Sequence, residues 1–183
     1  MATSLIDKVN AQLAASGIKP RTSAAQAWLR DRVSALRMPS NRSNILNDAK
    51  RISAKAFVGR MYFYHYDPKL KDILPVYDKF PLVIPMEMYS DGFLGMNLHY
   101  LDPGSRLALL DRLYDFVNND KYDDTTRFNL SYALLASSRR YKLFEPCIKR
   151  YLLSHIRSSL IYIEPDNWET AIFLPTEKMV YKK

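Results

Sequence analysis

GRMYFYHYDPK, residues 59–69, is the stretch on which the fold turns. Read with a period of two, Met61, Phe63 and His65 fall on one face of a strand and Tyr62, Tyr64 and Tyr66 on the other. Large side chains on both faces predict a strand that is covered or paired on both sides. Asp67-Pro68 ends it, because proline has no amide to give to a ladder. Just downstream, FPLVIPMEMY (80–89) reads as a second strand, and its Pro81 and Pro85 predict an edge position or a bulge. Ser90-Asp91-Gly92 is hairpin chemistry leading into a third strand, FLGMNLHYL (93–101).

Beyond these strands the period changes. Asp102-Pro103-Gly104-Ser105 opens a helix predicted over 105–118, with Leu107, Leu110, Leu113, Tyr114 and Val117 on one face. A further helix is predicted over 124–137, and another from Pro146 to residue 158. On the latter, Ile148, Tyr151, Leu152 and Ile156 form an apolar face opposite Lys149, Arg150 and Arg157. SLIYIE (159–164) reads as a strand, PDNWETAIF (165–173) as a short helix, and the last residues as a strand or tail. Strands on either side of a helical block predict an α+β domain over 57–183, built as a small antiparallel sheet or SH3-like barrel with an inserted helical layer.

Residues 1–56 are different in kind. Segments 2–16 and 22–37 read as short helices with narrow apolar stripes, started by Ser4 and by Thr22 or Ser23, while 38–56 lacks a sustained period. Residues 1–60 hold 11 Lys and Arg against Asp7, Asp31 and Asp48, and the remainder carries 16 charges of each sign. The whole net charge of +8 therefore sits in the first third. This predicts a basic, partly helical N-terminal arm, ordered against its own domain, a neighbouring subunit or nucleic acid. Its partner-binding side chains would be Trp28, Arg30, Arg32, Arg37, Arg42, Lys50 and Arg51. Such weak stripes also predict that a chain starting near Ala56 folds without the arm.

Chemistry is sparse. A single cysteine, Cys147, excludes a disulfide framework and a multi-cysteine metal site and fits a reducing compartment. No apolar run approaches the roughly 20 residues that cross a bilayer. His65, His99 and His155 are far apart among apolar neighbours and read as satisfied core or boundary residues rather than metal ligands. Asp111 and Asp115 alternate with Arg112, as a solvated helix face does, and the five glycines form no phosphate-cradling loop. Cys147 reads as a small buried residue. No catalytic residue, metal or cofactor is expected. What survives is a cationic surface of Arg139, Arg140, Lys142, Lys149, Arg150 and Arg157, which suits a phosphate backbone.

The strings GRMYFYHYDPK, LPVYDKFPLVIP, DGFLGMNLHYL, FEPCIKRYLLSHIRSS and WETAIFLPTEKM, within residues 58–101 and 141–175 for the most part, resemble small virion proteins of T-even-type tailed bacteriophages and their marine relatives. The family most resembled is the DNA end protector, a head-completion protein. That resemblance implies a non-enzymatic protein, made in the host cytoplasm and carried in the virion. It would bind the termini of packaged DNA near the head-tail junction and shield them from exonucleases. Its expected partners are duplex DNA ends and neck, portal or tail subunits within a symmetric multimeric assembly, with no membrane involved. The competing expectation is a tail or baseplate subunit whose N-terminal arm docks on its neighbours.

Overall fold

The computed structural model describes residues 5–35, 38–117, 133, 142 and 144–182. The helix expected over 124–137 lies, apart from residue 133, outside the described residues. Five helices are described: α1 (Leu5–Ala15), α2 (Ser23–Ser34), α3 (Met38–Leu46), α4 (Pro103–Val117) and α5 (Trp168–Phe173). The strands are β1 (Ile52–Ser53), β2 (Met61–Phe63), β3 (Val76–Asp78), β4 (Leu82–Tyr89), β5 (Gly92–Asn97), β6 (Ile148–Leu152), β7 (Leu160–Ile163) and β8 (Met179–Tyr181). Six of them form one antiparallel sheet in the order β1-β7-β2-β4-β5-β6, and β3 pairs with β8 in a separate two-stranded ribbon. The class is α+β. Among the described residues no pairing joins β6 to β1, so the sheet has two edges where a barrel would have none.

β2 lies inside the sheet between β7 and β4, and its two faces separate as the alternation predicts. Met61 and Phe63 share a core with Leu82, Ile84 and Met86 of β4, Ile161 and Ile163 of β7, and the buried sides of α4 and α5. Tyr62, Tyr64 and Tyr66 turn the other way, into a second core with Val83, Phe93, Tyr151 and Leu160. Tyr64 is the hub of that cluster, edge-on to Tyr66, Phe93 and Tyr151 at centroid distances of 6.3, 6.2 and 5.7 Å. Pro81 precedes β4, and the proline within it, Pro85, is accommodated by a bulge between Pro85 and Glu87, in an interior strand and not at an edge.

The helix predicted from Pro146 to 158 is not formed. Glu145–Cys147 is one 3-10 turn, Ile148–Leu152 is β6 and Leu153–His155 is a second turn. Ile148, Tyr151, Leu152 and Ile156 have helical spacing, but β5 offers a stronger competitor. Gly92 has no side chain, and a Cβ there would lie 1.9 Å from the Tyr151 carbonyl oxygen, so this strand accepts another backbone against it. Lys149 and Arg150 consequently project to opposite sides of a strand.

The basic N-terminal segment is docked on its own chain. Ile6 and Ile45 enter the helix-side core, and Val9, Leu13, Ala25 and Leu29 form an α1–α2 cluster that reaches Phe173 of α5. Thr22 caps α2, its Oγ1 accepting from the Ala25 amide at 3.2 Å. Cations complete the attachment. The buried Arg51 guanidinium meets Asp7 at 2.7 Å, Asp48 at 2.9 Å and Glu164 at 3.2 Å. Arg42 donates to the carbonyls of Thr176 and Glu177 and lies 5.6 Å from the Phe80 ring centre, and Arg21 meets Asp166 at 2.9 Å.

One buried network fixes the β3–β8 ribbon to the sheet. Oδ1 of Asp78 accepts from the amides of Phe80 (3.0 Å) and Lys178 (3.1 Å), while Oδ2 faces His99 Nδ1 at 2.6 Å and accepts from Asn97 Nδ2 at 3.3 Å. Burial pushes this carboxyl upward, but the His99 hydrogen bond and charge, with the two amides, outweigh it and hold it below its ordinary 3.8.

Three measurements check this architecture. The Tyr64 hydroxyl is buried without a hydrogen-bond partner, so Tyr64→Phe should be neutral or stabilise by up to about 1–3 kcal/mol, whereas Tyr64→Ala should cost about 3–5 kcal/mol. Leu29→Ala should lower the global unfolding free energy by about 2–5 kcal/mol. A silent Leu29→Ala would detach the N-terminal helices from the cooperative unit. The third concerns Asp78. Its folded-state value lies below the unfolded one, so its contribution is complete above the ordinary carboxylate range and is lost as the pH falls through the depressed value. Asp78→Asn should cost about 1.5–3 kcal/mol at neutral pH, and urea melts in acid should show the gap closing. A gap constant with pH would remove the charge from the account.

Candidate nucleic-acid interface

The ribbon that Asp78 anchors stands opposite β6, and between them lies a cavity of roughly 330 Å³. Tyr66 and Tyr151 come from the ring cluster, Tyr77 from β3 and Tyr100 from the turn after β5, while Lys69 and Lys149 bring the charge. Lys149 lies 4.7 Å from the Tyr100 ring centre, a cation–π pair. Burial raises the phenol of Tyr66, pushes that of Tyr100 up to about 12, and lifts that of Tyr151 well above the ordinary range. These rings are therefore neutral at physiological pH. Asp78 also lines the cavity, but its two oxygens are already met by four donors. The lining thus combines flat aromatic surface with positive charge.

Only part of the expected cationic patch comes together here. Lys149 and Arg150 both line the cavity, and Arg150 is held by Asp91 and the Tyr151 carbonyl while stacking 4.3 Å from the Tyr89 ring centre. Arg157 is not among the residues lining the cavity, and its guanidinium lies 3.9 Å from Asp67. Lys142 is exposed, and Arg139 and Arg140 lie outside the described residues. Of the arm residues, Trp28 is half-buried against the α1–α2 cluster. Arg30 and Lys50 are exposed, and Arg32 is exposed with its Nε on Gln12 at 2.9 Å. Arg42 and Arg51 hold the segment to its own chain, and Arg37 lies outside the described residues.

Reasoning from sequence missed the lysines of the ribbon and its loop. Lys71, Lys79 and Lys182 line a second recess with Tyr77 and Tyr181, and Leu74 and Tyr77 belong to both hollows. The signal was available: DPKLKD, YDKF and MVYKK each set lysine beside an aromatic or a turn. Taken one at a time, these lysines do not differ from ordinary solvated charges.

The remaining candidates for chemistry are structural. His99 Nε2 lies 3.3 Å from the Thr176 hydroxyl, so Thr176, His99 and Asp78 stand in a row. Thr176 is 2% exposed and its hydroxyl also lies 3.4 Å from the Leu174 carbonyl, which leaves a substrate no way in. His155 Nδ1 faces the Asp67 carbonyl at 2.8 Å, and His65 stacks on Phe80 with its charged form disfavoured by burial. Burial pushes the Cys147 thiol up to about 11, which makes it a poor nucleophile.

A family model, that of the phage T4 terminal DNA protecting protein, matches residues 15–183, and the chain belongs to that family. No curated protein and no solved structure matches it.

Proposed function

We propose that this chain is a non-enzymatic virion protein of a tailed phage that binds the termini of linear duplex DNA and shields them, as part of the completed head near its junction with the tail. The observation that carries the reading is the meeting of neutral tyrosine rings and lysine charge in one hollow, in a chain whose family is named for protecting terminal DNA. Outside that hollow, Lys142 and Arg157 supply further exposed charge, and Lys8, Lys19, Arg30 and Lys50 do so in the N-terminal segment. Such charge attracts phosphates without reading sequence, which is what a protector of any terminus requires.

The competing reading, a tail or baseplate subunit gripping its neighbours through the arm, draws less support. That arm is occupied by its own chain, through Leu29, Arg42 and Arg51. Other virion subunits remain natural partners for the outer surface.

Competition between linear and closed circular duplex of equal length, at two salt concentrations, tests the proposal. Linear DNA should win, and affinity should fall steeply with salt. Lys142→Glu with Arg157→Glu should weaken binding and reduce the salt slope by about one unit for each phosphate that is no longer neutralised. Equal competition by the circle would leave charge attraction alone. Absence of binding at physiological salt would favour the structural subunit.

A further inference from the structure

Resting on that reading, we infer that the cavity between β6 and the β3–β8 ribbon is the seat of the end itself, taking one unpaired 5′-terminal nucleotide with its phosphate. Size comes first. At roughly 330 Å³ the hollow stands at the small end of ligand sites. One nucleotide fits such a volume, and a pair of whole nucleotides does not. A strand can deliver a single nucleotide there only where it can leave its partner, which happens readily at an end and at a cost inside a duplex.

The lining suits the two halves of a nucleotide. Tyr77 and Tyr100 offer ring surface for a base, a mode of contact that tolerates any sequence because every base has a π-face. Lys69 and Lys149 supply the charge, and among the described residues neither is engaged in an ion pair. Arg150 differs, being held by Asp91. A terminal phosphate monoester carries a charge of about −1.5 to −2 near neutral pH, against −1 for an internal diester. Two lysines in one lining favour the monoester, and a 3′-hydroxyl end has no phosphate to offer. The neutral state of Tyr66, Tyr100 and Tyr151 means that no phenolate opposes it, and the Asp78 carboxylate in the lining has both oxygens met by four donors.

The test uses the full chain and one duplex sequence prepared in three forms: blunt with 5′-phosphates, blunt with 5′-hydroxyls, and closed at both ends by hairpin loops. Wild-type protein should prefer phosphorylated over hydroxyl ends by about tenfold, as expected of one or two charge-assisted contacts. Ends terminating in A·T pairs should bind better than those in G·C pairs, since they open more easily. Lys149→Gln should erase the distinction between phosphate and hydroxyl, and Lys69→Gln, on an exposed loop, serves the same purpose if the first change disturbs β6. Tyr77→Leu should remove the advantage of A·T ends. Open ends bound over closed ones with no effect of the phosphate, or with the phosphate preference intact in both lysine variants, would overturn the cavity as the seat while leaving end binding in place. Equal binding of open and closed forms would overturn the end-binding reading and this inference with it.

Discussion

Residues 61–66 impose the governing constraint, because a strand with large side chains on both faces must be covered twice. On the Met61 and Phe63 side the cover is helical, supplied by α4 and α5 with Ile6 and Ile45 at the margin. On the tyrosine side no helix contributes among the described residues. The sheet fills that face from its own strands, with Val83, Phe93, Tyr151 and Leu160 closing around Tyr62, Tyr64 and Tyr66. Rings suit the task, since edge-to-face contacts fill space with few atoms and few rotatable bonds. Leaving the Tyr64 hydroxyl unpartnered is the cost of putting so polar a tip at the centre of that cluster.

What could be read from the sequence was whatever depends on near neighbours. The two faces of β2, the turn at Ser90-Asp91, the start of α4 at Asp102 and the Thr22 cap all follow from residues a few positions apart. β6 was misread because its apolar residues satisfy the helical period as well as any real helix. The deciding factor was the bare backbone of Gly92, more than fifty residues upstream. Which of its possible partners orders the N-terminal segment was hidden for a similar reason. Its helices are weak by themselves, and what holds Arg51 in place comes partly from Asp7 and Glu164, 44 and 113 residues away.

The same distinction applies to charge. Counted along the chain, residues beyond 60 are neutral and residues 1–60 carry all the excess. In space, Arg42 and Arg51 of the basic segment turn inward to attach it, and Arg21 pairs with Asp166 on the surface. The neutral part, in contrast, gathers Lys69, Lys71, Lys79, Lys149 and Lys182 around the ribbon and its loop. Folding therefore moves the most distinctive cationic feature away from the segment that looks most basic. The cavity could not be found in advance because three separate stretches of chain meet to build it.

Recognition of an end requires more than positive charge. A flat basic face follows the phosphates of a duplex with equal affinity at every position, so it cannot distinguish a terminus from the interior. Discrimination needs a feature that only a terminus can satisfy, and a recess sized for one nucleotide is such a feature, because the interior of a duplex must break pairing and stacking on both sides to enter it. The rigidity of the recess then matters as much as its lining. Its walls are held by Asp78 on one side and by the tyrosine cluster on the other, both buried. In the proposed seat, walls held before DNA arrives would spend little ordering themselves, and the binding energy of a few contacts would be available for selecting the end.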